Sequence, residues 1–240
     1  MRVLRAVTFS ILAVVTSALG FLAAALALLL DPGRGRVTHS VARLWARGIL
    51  GVAGARLVVT GAERLRPSEP RVLVATHASY LDIPALFVAF DGQLRFVARH
   101  TLAWIPFIGW FIHLGGHFAV RRDDPRQALD LAQRAASRMR RHQLTAVLFP
   151  EGTRTRDGRL QPLKPGALQL PLEVHVPVQP VLVRGTREIM PKGSWFPQRS
   201  GTVELVVGDP IPTEGLEGPT GRKALAAQVR EAFLRLGAYE

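Results

Sequence analysis

The longest uncharged stretch of the chain runs from Ala6 to Leu30, which is 25 consecutive residues. A helix rises ~1.5 Å per residue, so this stretch could cross the ~30 Å hydrocarbon layer of a bilayer. A secretory signal peptide is the competing interpretation, because Ala25-Leu26-Ala27 could be a cleavage site. Its apolar region would be too long, however, and three further leucines follow that site. The stretch therefore predicts an uncleaved membrane segment.

A second helix is predicted after the helix-breaking segment Asp31-Pro32-Gly33. Its basic face carries Arg36, Arg43 and Arg47, and its apolar face carries Val37, Val41, Leu44, Trp45, Gly48, Ile49 and Val52. Such a helix is suited to lying at a lipid interface, or alternatively to packing on a core with its arginines in solvent. Because positive charge flanks the first segment on both sides, a hairpin in one leaflet explains the pattern as well as a full span does.

The charge of the chain favours an anionic partner. Lysine and arginine total 31 against 18 acidic residues, for a net charge of +13. The first 60 residues hold seven arginines and a single acid, Asp31, and they are also the most apolar part of the chain. Charge beside an apolar anchor is typical of membrane proteins, so a nucleic-acid partner is not expected. The absence of cysteine excludes thiolate metal sites, disulfides and a cysteine nucleophile.

After residue 54 the pattern becomes that of an α/β protein. Helix-length segments lie near 80–90, 101–114, 124–141 and 222–236, and short apolar runs predict strands at Leu57–Thr60, Val72–Thr76, Leu94–Ala98, Thr145–Phe149, Val178–Val183 and Thr202–Val207. The fold class predicted is α/β, with a single mixed sheet covered by helices and preceded by the membrane-associated two-helix segment. The domains predicted are 1–53, the membrane-anchoring helices, and 54–240, the α/β domain.

A polar segment from Thr76 to Asp82 follows the strand that starts at Val72. Open α/β sheets bind their ligands just beyond the carboxyl ends of strands. Asp82 could accept the Nδ1–H of His77 and leave Nε2 free as a general base. The spacing Ser79-x-x-Asp82 is equally that of a capping box, which requires no catalysis, so the spacing alone leaves both interpretations open. Ser79 as a nucleophile is disfavoured, because the chain has no G-x-S-x-G elbow.

A second polar segment, Phe149-Pro150-Glu151-Gly152-Thr153-Arg154, follows the predicted strand at 145–149. Arg156, Arg159 and Lys164 continue it. A guanidinium group can bind a phosphate monoester through two parallel hydrogen bonds. A solvated basic loop is the simpler interpretation for Arg156 and Arg159.

Together these segments resemble the glycerophospholipid acyltransferase family, and most closely its bacterial 1-acyl-sn-glycerol-3-phosphate acyltransferases. Four blocks occur in the family's order: H-x-x-x-x-D at 77–82, G-x-x-x-x-x-R at 116–122, F-P-E-G-T-R at 149–154 and V-P-x-x-P at 176–180. The resemblance extends from about residue 55 to 212. Any one block is weak, whereas all four in order are specific.

The resemblance implies that His77 deprotonates the free hydroxyl of a lysophospholipid, which attacks an acyl thioester directly, and that Asp82 orients the imidazole. It also implies acceptor- or phosphate-binding roles for Arg122, Glu151, Gly152, Thr153 and Arg154. The candidate acyl-chain site is the apolar stretch Leu102, Trp104, Ile105, Phe107, Ile108, Trp110, Phe111 and Ile112, together with Pro177. Contact with lipid and core packing are the alternatives for that stretch.

The resemblance further implies no bound cofactor, with acyl-CoA or acyl-carrier protein as the co-substrate. The partners expected are membrane phospholipids and the lysophospholipid acceptor. The location expected is the inner (cytoplasmic) membrane, with the catalytic domain on the cytoplasmic side. No metal site is predicted, because Gly115-Gly116 interrupts the helix that would pair His113 with His117, and no Glu follows His113.

Two alternatives to phosphatidate synthesis remain open. The acceptor could be another lysolipid, such as a lyso-ornithine lipid. A non-enzymatic, basic membrane-binding module is the alternative from another class, although it makes the F-P-E-G-T-R block at 149–154 and the His–Asp pair coincidental.

Overall fold

The computed structural model describes residues 2–30, 36–65, 70–105, 108–120 and 125–239. The helices are α1 (Arg2–Leu30), α2 (Arg36–Ala53), α3 (Asp82–Ala89), α4 (Ile108–Leu114), α5 (Pro125–His142), α6 (Gln169–Val174), α7 (Thr186–Ile189) and α8 (Gly218–Arg235). Short 3-10 turns lie at Ala62–Arg64, His100–Trp104 and Pro165–Leu168. The strands are β1 (Ala55–Thr60), β2 (Val72–Ala75), β3 (Gln93–Arg99), β4 (Phe118–Val120), β5 (Leu144–Leu148), β6 (Val178–Arg184) and β7 (Gly201–Val207).

The strands form one mixed sheet in the order β1-β7-β6-β2-β5-β3-β4. Neighbouring strands are parallel except β6 and β7, which are antiparallel. Helices cover this sheet, so the predicted fold class is confirmed. The sequence missed β4 and α7, which have three and four residues and are too short for a clear periodicity. The helix predicted at 101–114 begins instead as a 3-10 turn.

The central strands β2 and β5 are buried along their whole length. They are parallel neighbours, with Val74 opposite Leu148. Because both run in the same direction, the segments that follow them leave the sheet at the same edge. This register brings the two polar segments of the sequence together.

Helix α1 presents much of its apolar surface to the outside. Its segment Val7–Leu26 is long and apolar enough to cross a membrane. Ile11, Val14, Leu19 and Leu22 are each between 57% and 64% exposed. A soluble protein rarely exposes so much contiguous apolar surface, so α1 has the character of a membrane segment.

Helix α2 joins α1 to the α/β core. The Trp45 Nε1–H donates to Ser17 Oγ of α1 at 3.0 Å, while Ile49 and Leu50 are buried in the core beside the sheet. Leu44, predicted on the same face as Ile49, is 70% exposed. The side of α2 that meets the core is therefore rotated from the predicted apolar face and leaves Leu44 outside. The boundary predicted at residue 53 stays a prediction.

Three titratable side chains are buried where α2 meets the sheet. His39, Arg95 and His117 are between 4% and 8% exposed. Burial, together with the positive charge of Arg95, lowers the pKa of His39 to about 4. The same two causes lower the pKa of His117. Both histidines are therefore neutral near pH 7.

We expect His39 to make stability fall in acid. An unfolded histidine takes up a proton near pH 6.5, whereas folded His39 does so only near pH 4, so the stability present above pH 6.5 is lost as the pH falls towards 4. The pKa difference corresponds to about 3 kcal/mol in the free energy of unfolding. Denaturant unfolding of the wild type and His39→Phe, from pH 7 to pH 4 in the same detergent, gives the free energy of unfolding of each protein as a function of pH. The contribution of His39 is the difference in slope between these two curves. Parallel curves would show that His39 is not protonated on unfolding.

Candidate active site

The two polar segments form loops at neighbouring strand ends. We name residues 76–81, which follow β2, the His77 loop, and residues 149–155, which follow β5, the Glu151 loop. The Thr155 N–H donates to the His77 carbonyl at 2.8 Å, so the loops are in direct contact. The site thus lies at the carboxyl edge of parallel strands, as the sequence predicted.

Asp82 holds His77 from the first turn of α3. Its Oδ2 lies 2.7 Å from His77 Nδ1 and also accepts the backbone N–H groups of Ala78 and Ser79, at 2.7 and 2.9 Å. Asp82 has no exposed surface. A buried carboxylate on Nδ1 fixes the tautomer with the proton on that nitrogen, which leaves Nε2 to accept one. The predicted His–Asp pair is thus present in the geometry.

Ser79 has a structural role. Helix α3 begins at Asp82, and its cap residue, Leu81, makes no side-chain capping bond. The Ser79 hydroxyl accepts the Leu81 N–H at 3.2 Å and donates to the Met190 carbonyl at 2.7 Å. Asp82 does reach back to the Ser79 N–H as in a capping box, so one carboxylate serves both of the interpretations that the spacing left open.

The His77 ring lies against Phe149 of the neighbouring loop. The two ring centroids are 4.0 Å apart and the planes differ by 19°. This stacking fixes the plane of the imidazole ring, and the bond to Asp82 fixes the direction in which Nδ1 points. The side chain remains 16% exposed, so a substrate can still approach it.

Glu151 ties the two loops together from inside the protein. Its Oε1 accepts the His77 N–H at 2.8 Å, and its Oε2 accepts the Gln161 N–H at 3.0 Å. The residue is 2% exposed, and burial raises the pKa of its carboxyl group. Both oxygens point at backbone donors within the protein. Glu151 therefore positions the His77 backbone, a role that the sequence described only as acceptor binding.

Gly152, Thr153 and Arg154 complete the Glu151 loop. Gly152 has a φ of 73°, a left-handed conformation that favours glycine. Thr153 is exposed, whereas the Nη1 atom of Arg154 is buried without a hydrogen-bond partner. Arg156 and Arg159 are exposed, which agrees with the simpler interpretation of them. Arg122 lies outside the described residues.

A cavity of about 1220 Å³ opens beside His77 and Arg154. Most of its lining is apolar and comes from α1, α2, β3 and α4, with Phe21, Trp45, Phe96, Ile108 and Phe111 as examples. The buried group His39, Arg95 and His117 also lines it. A cavity of this size and polarity is suited to a long hydrocarbon chain.

The stretch predicted for an acyl-chain site lines the cavity in part. Trp104 is 84% exposed and Trp110 is 46% exposed, while the smaller Leu102, Ile105 and Ile108 beside them line the cavity. Phe107 is outside the described residues. Pro177 lies at the opposite end of β2 from His77, because its carbonyl accepts the Val72 N–H. The structure therefore does not place Pro177 in this cavity.

Three residues that the sequence did not single out, Tyr80, Trp195 and Lys192, make contacts near the site. The Arg154 guanidinium carbon lies 3.6 Å from the centre of the Tyr80 ring. Trp195 stacks on Tyr80 with centroids 5.8 Å apart. The Lys192 Nζ donates to Thr153 Oγ1 at 3.0 Å and to the Arg154 carbonyl at 2.7 Å. Residues 192 and 195 are far from the motifs along the chain, and no local pattern marks them.

Within the described residues, no three His, Asp or Glu side chains gather into a group that could hold a metal ion. His113 is exposed at the end of α4, whereas the Nδ1 of His117 accepts the Phe96 N–H at 3.0 Å inside the core. His113 therefore lies in solvent and His117 in the core, and the sequence had predicted that these two histidines do not form a metal-binding pair.

The chain is similar to known acyltransferases. The model of the family described as "Acyltransferase" matches residues 56–184. The chloroplastic 1-acyl-sn-glycerol-3-phosphate acyltransferase of Arabidopsis thaliana is 35% identical over 185 residues, 77% of this chain and 51% of the plant protein. The human 1-acyl-sn-glycerol-3-phosphate acyltransferase alpha is 31% identical over 204 residues, 84% of this chain and 71% of that protein. This chain spans about half the length of the Arabidopsis and Brassica napus relatives.

The fold is similar to a solved one. The crystal structure of the 1-acyl-sn-glycerophosphate acyltransferase from Thermotoga maritima superposes with a TM-score of 0.77 at 24% identity. The match covers 100% of this chain and 99% of that one. The site at the sheet edge, the family match and the human relative together show that the chain belongs to the acyltransferase family, as its motifs indicated.

Proposed function

We propose that this protein transfers a fatty acyl group from an acyl thioester to the free hydroxyl of 1-acyl-sn-glycerol-3-phosphate and so forms phosphatidate. The carrying observation is that a buried carboxylate orients His77 at a large apolar cavity. Arg154, whose buried Nη1 has no hydrogen-bond partner, lines the same cavity. The names of the relatives in plants and animals support the same acceptor.

His77 is the general base in this proposal. The acceptor hydroxyl gives its proton to Nε2 as its oxygen attacks the thioester carbonyl carbon, and Asp82 stabilises the imidazolium that forms. Collapse of the tetrahedral intermediate breaks the carbon–sulfur bond. The thiolate leaves with the proton from Nε2, so the products are the ester and a free thiol. No group on the protein needs to be acylated.

Arg154 provides charge for the acceptor phosphate. Its buried Nη1 donor has no partner within the protein, and none of the described carboxylates forms an ion pair with its guanidinium. A phosphate monoester has about −1.5 to −2 charges near pH 7 and accepts several strong hydrogen bonds. By resemblance, Arg122 is the second arginine of this site.

The apolar cavity is proposed to hold acyl chain. Each methylene group that leaves water for such a lining contributes ~0.8 kcal/mol to binding. The donor is acyl-CoA or acyl-carrier protein, and both present the same thioester to His77.

The proposed location is a membrane surface, with α1 inserted among lipids and the site above it. The exposed apolar side chains of α1 support this placement. The inner (cytoplasmic) membrane, with the catalytic domain on its cytoplasmic side, is the location that the resemblance favours.

Arginine substitutions test the acceptor. We expect Arg154→Ala to raise KM and lower kcat for lysophosphatidate, because the phosphate is next to the reacting glycerol and positions its hydroxyl. The expected loss in kcat/KM is ~10²-fold. Thioester release in mixed micelles, with lysophosphatidate and with monoacylglycerol as acceptors, measures it.

Arg156→Ala and Arg159→Ala are the matched controls, since both side chains are exposed, and each should change kcat/KM less than 2-fold or so. Equal losses with both acceptors would mean that Arg154 does not bind the phosphate. A wild type that prefers a lysolipid without the monoester would favour the lyso-ornithine alternative. No thioester release with any lysolipid would favour a membrane-binding module.

A further inference from the structure

Arg154 is held by an aromatic ring. Its guanidinium carbon lies 3.6 Å from the centre of the Tyr80 ring. A carboxylate partner would occupy the in-plane N–H groups of a guanidinium, whereas a ring contacts its flat face and leaves those N–H groups free. The contact with Tyr80 therefore orients the cation and still allows it to bind an anion, which agrees with the unpartnered Nη1.

Trp195 restricts the Tyr80 ring in turn. The two rings stack at 5.8 Å with planes 27° apart. Trp195 is 75% exposed, so this contact is not a part of the hydrophobic core. Trp195 is the last residue of the segment 190–195, which we name the Lys192 loop. This loop is tied to the His77 loop by the hydrogen bond from Ser79 Oγ to the Met190 carbonyl.

Lys192 fixes the backbone from which the Arg154 side chain extends. Its Nζ donates to the Arg154 carbonyl at 2.7 Å and to the Thr153 hydroxyl at 3.0 Å. The guanidinium is thus held through its face by Tyr80, and its backbone through the carbonyl by Lys192. Both constraints depend on the Lys192 loop, which follows β6 and α7 and lies far along the chain from the motifs.

We propose that Tyr80, Trp195 and Lys192 are positioning residues that preorganise the Arg154 guanidinium to bind the acceptor phosphate. This inference rests on the proposed function, in which Arg154 binds that phosphate. It adds that phosphate binding depends on the ring of Tyr80, a variable position of the H-x-x-x-x-D block, and on Trp195 and Lys192, which lie outside all four blocks. A guanidinium fixed before the substrate arrives loses less side-chain entropy on binding.

A double-mutant cycle tests the inference on the full chain in mixed micelles. We expect Tyr80→Leu to lower kcat/KM for lysophosphatidate about 10- to 30-fold and Trp195→Ala about 3- to 10-fold. In an Arg154→Ala background each loss should shrink below about 2-fold, because the aromatic residues act through that arginine. Tyr80→Phe and Trp195→Phe should restore most of the rate, since both keep a ring. Losses of equal size in both backgrounds would overturn the inference.

A chemical readout keeps this test separate from the choice of acceptor. Phenylglyoxal modifies accessible arginines, and peptide mapping gives the rate at Arg154 itself. We expect Tyr80→Leu to speed modification of Arg154 several-fold, while the exposed Arg159 in the same protein reacts at an unchanged rate. Unchanged protection of Arg154 would overturn the inference whatever the acceptor is. If the wild type does not acylate lysophosphatidate while Tyr80→Leu still speeds the modification of Arg154, the result contradicts the proposed acceptor alone.

Discussion

His77→Ala is expected to lower kcat by at least ~10²- to 10⁴-fold, because it removes the group that takes the hydroxyl proton in the proposed reaction. The fold should persist, since the side chain is partly exposed and packs on Phe149 without anchoring the core. The rate of thioester release with lysophosphatidate measures the loss, and thermal unfolding in the same detergent checks the fold. His113→Ala, at an exposed histidine of α4, is the matched control.

Asp82→Asn should cost less than His77→Ala. The amide keeps one oxygen for the donors that now share Oδ2, but it removes the negative charge that stabilises the imidazolium. A folded His77→Ala protein with near-normal activity would disprove general-base catalysis by this residue. Equal activity of Asp82→Asn and the wild type would disprove only the claim that the negative charge of Asp82 stabilises the imidazolium.

Glu151→Ala is expected to have the second largest effect, on stability and on rate together. It leaves the partly buried N–H groups of His77 and Gln161 without their partner, and a buried group left unpaired costs ~1–3 kcal/mol. The free energy of unfolding should therefore fall by about 2–5 kcal/mol. Because the His77 backbone loses its fixed position, kcat should also fall ~10²-fold. Denaturant unfolding and thioester release on the same preparation measure both quantities.

Glu231→Ala is the control for Glu151, since Glu231 is exposed on α8 and its ion pair with Arg235 contributes little. Glu151→Gln should lie between the wild type and Glu151→Ala, because its amide still offers one oxygen but turns a donor towards the second N–H. Full stability with lost activity would mean that Glu151 contacts the substrate. Full stability with full activity would mean that it does not join the loops.

The position of the site could be predicted from the sequence because it depends on local order. His77 and Glu151 each follow a buried apolar strand, and polar residues directly after such strands lie at the edge where parallel sheets bind ligands. The spacing of five residues between His77 and Asp82 also allowed their contact to be predicted. These features need only the strand direction and the geometry of one turn.

Other parts of the site depend on contacts between distant residues. The predicted stretch at 102–112 contributes Leu102, Ile105 and Ile108 to the cavity, whereas its largest side chains, Trp104 and Trp110, do not line it. An apolar residue type shows that a side chain avoids water, but it does not show which neighbour covers it. Leu44 of α2 is exposed for the same reason, since only packing on α1 and α3 decides which stripe of that helix faces the core.

By itself the sequence determined the membrane-type segment and the α/β class, which follow from composition and periodicity. The order of the four blocks indicated the family, and that resemblance favoured the His–Asp pair that the spacing permits. Only the tertiary structure decided that Glu151 holds the His77 backbone, that Pro177 lies at the far end of β2 and that Tyr80, Trp195 and Lys192 surround Arg154. The physical reason is chain separation. Residues 77, 151 and 192 meet only because the register of β2, β5 and β6 brings their loops to one edge, and no local pattern encodes that register.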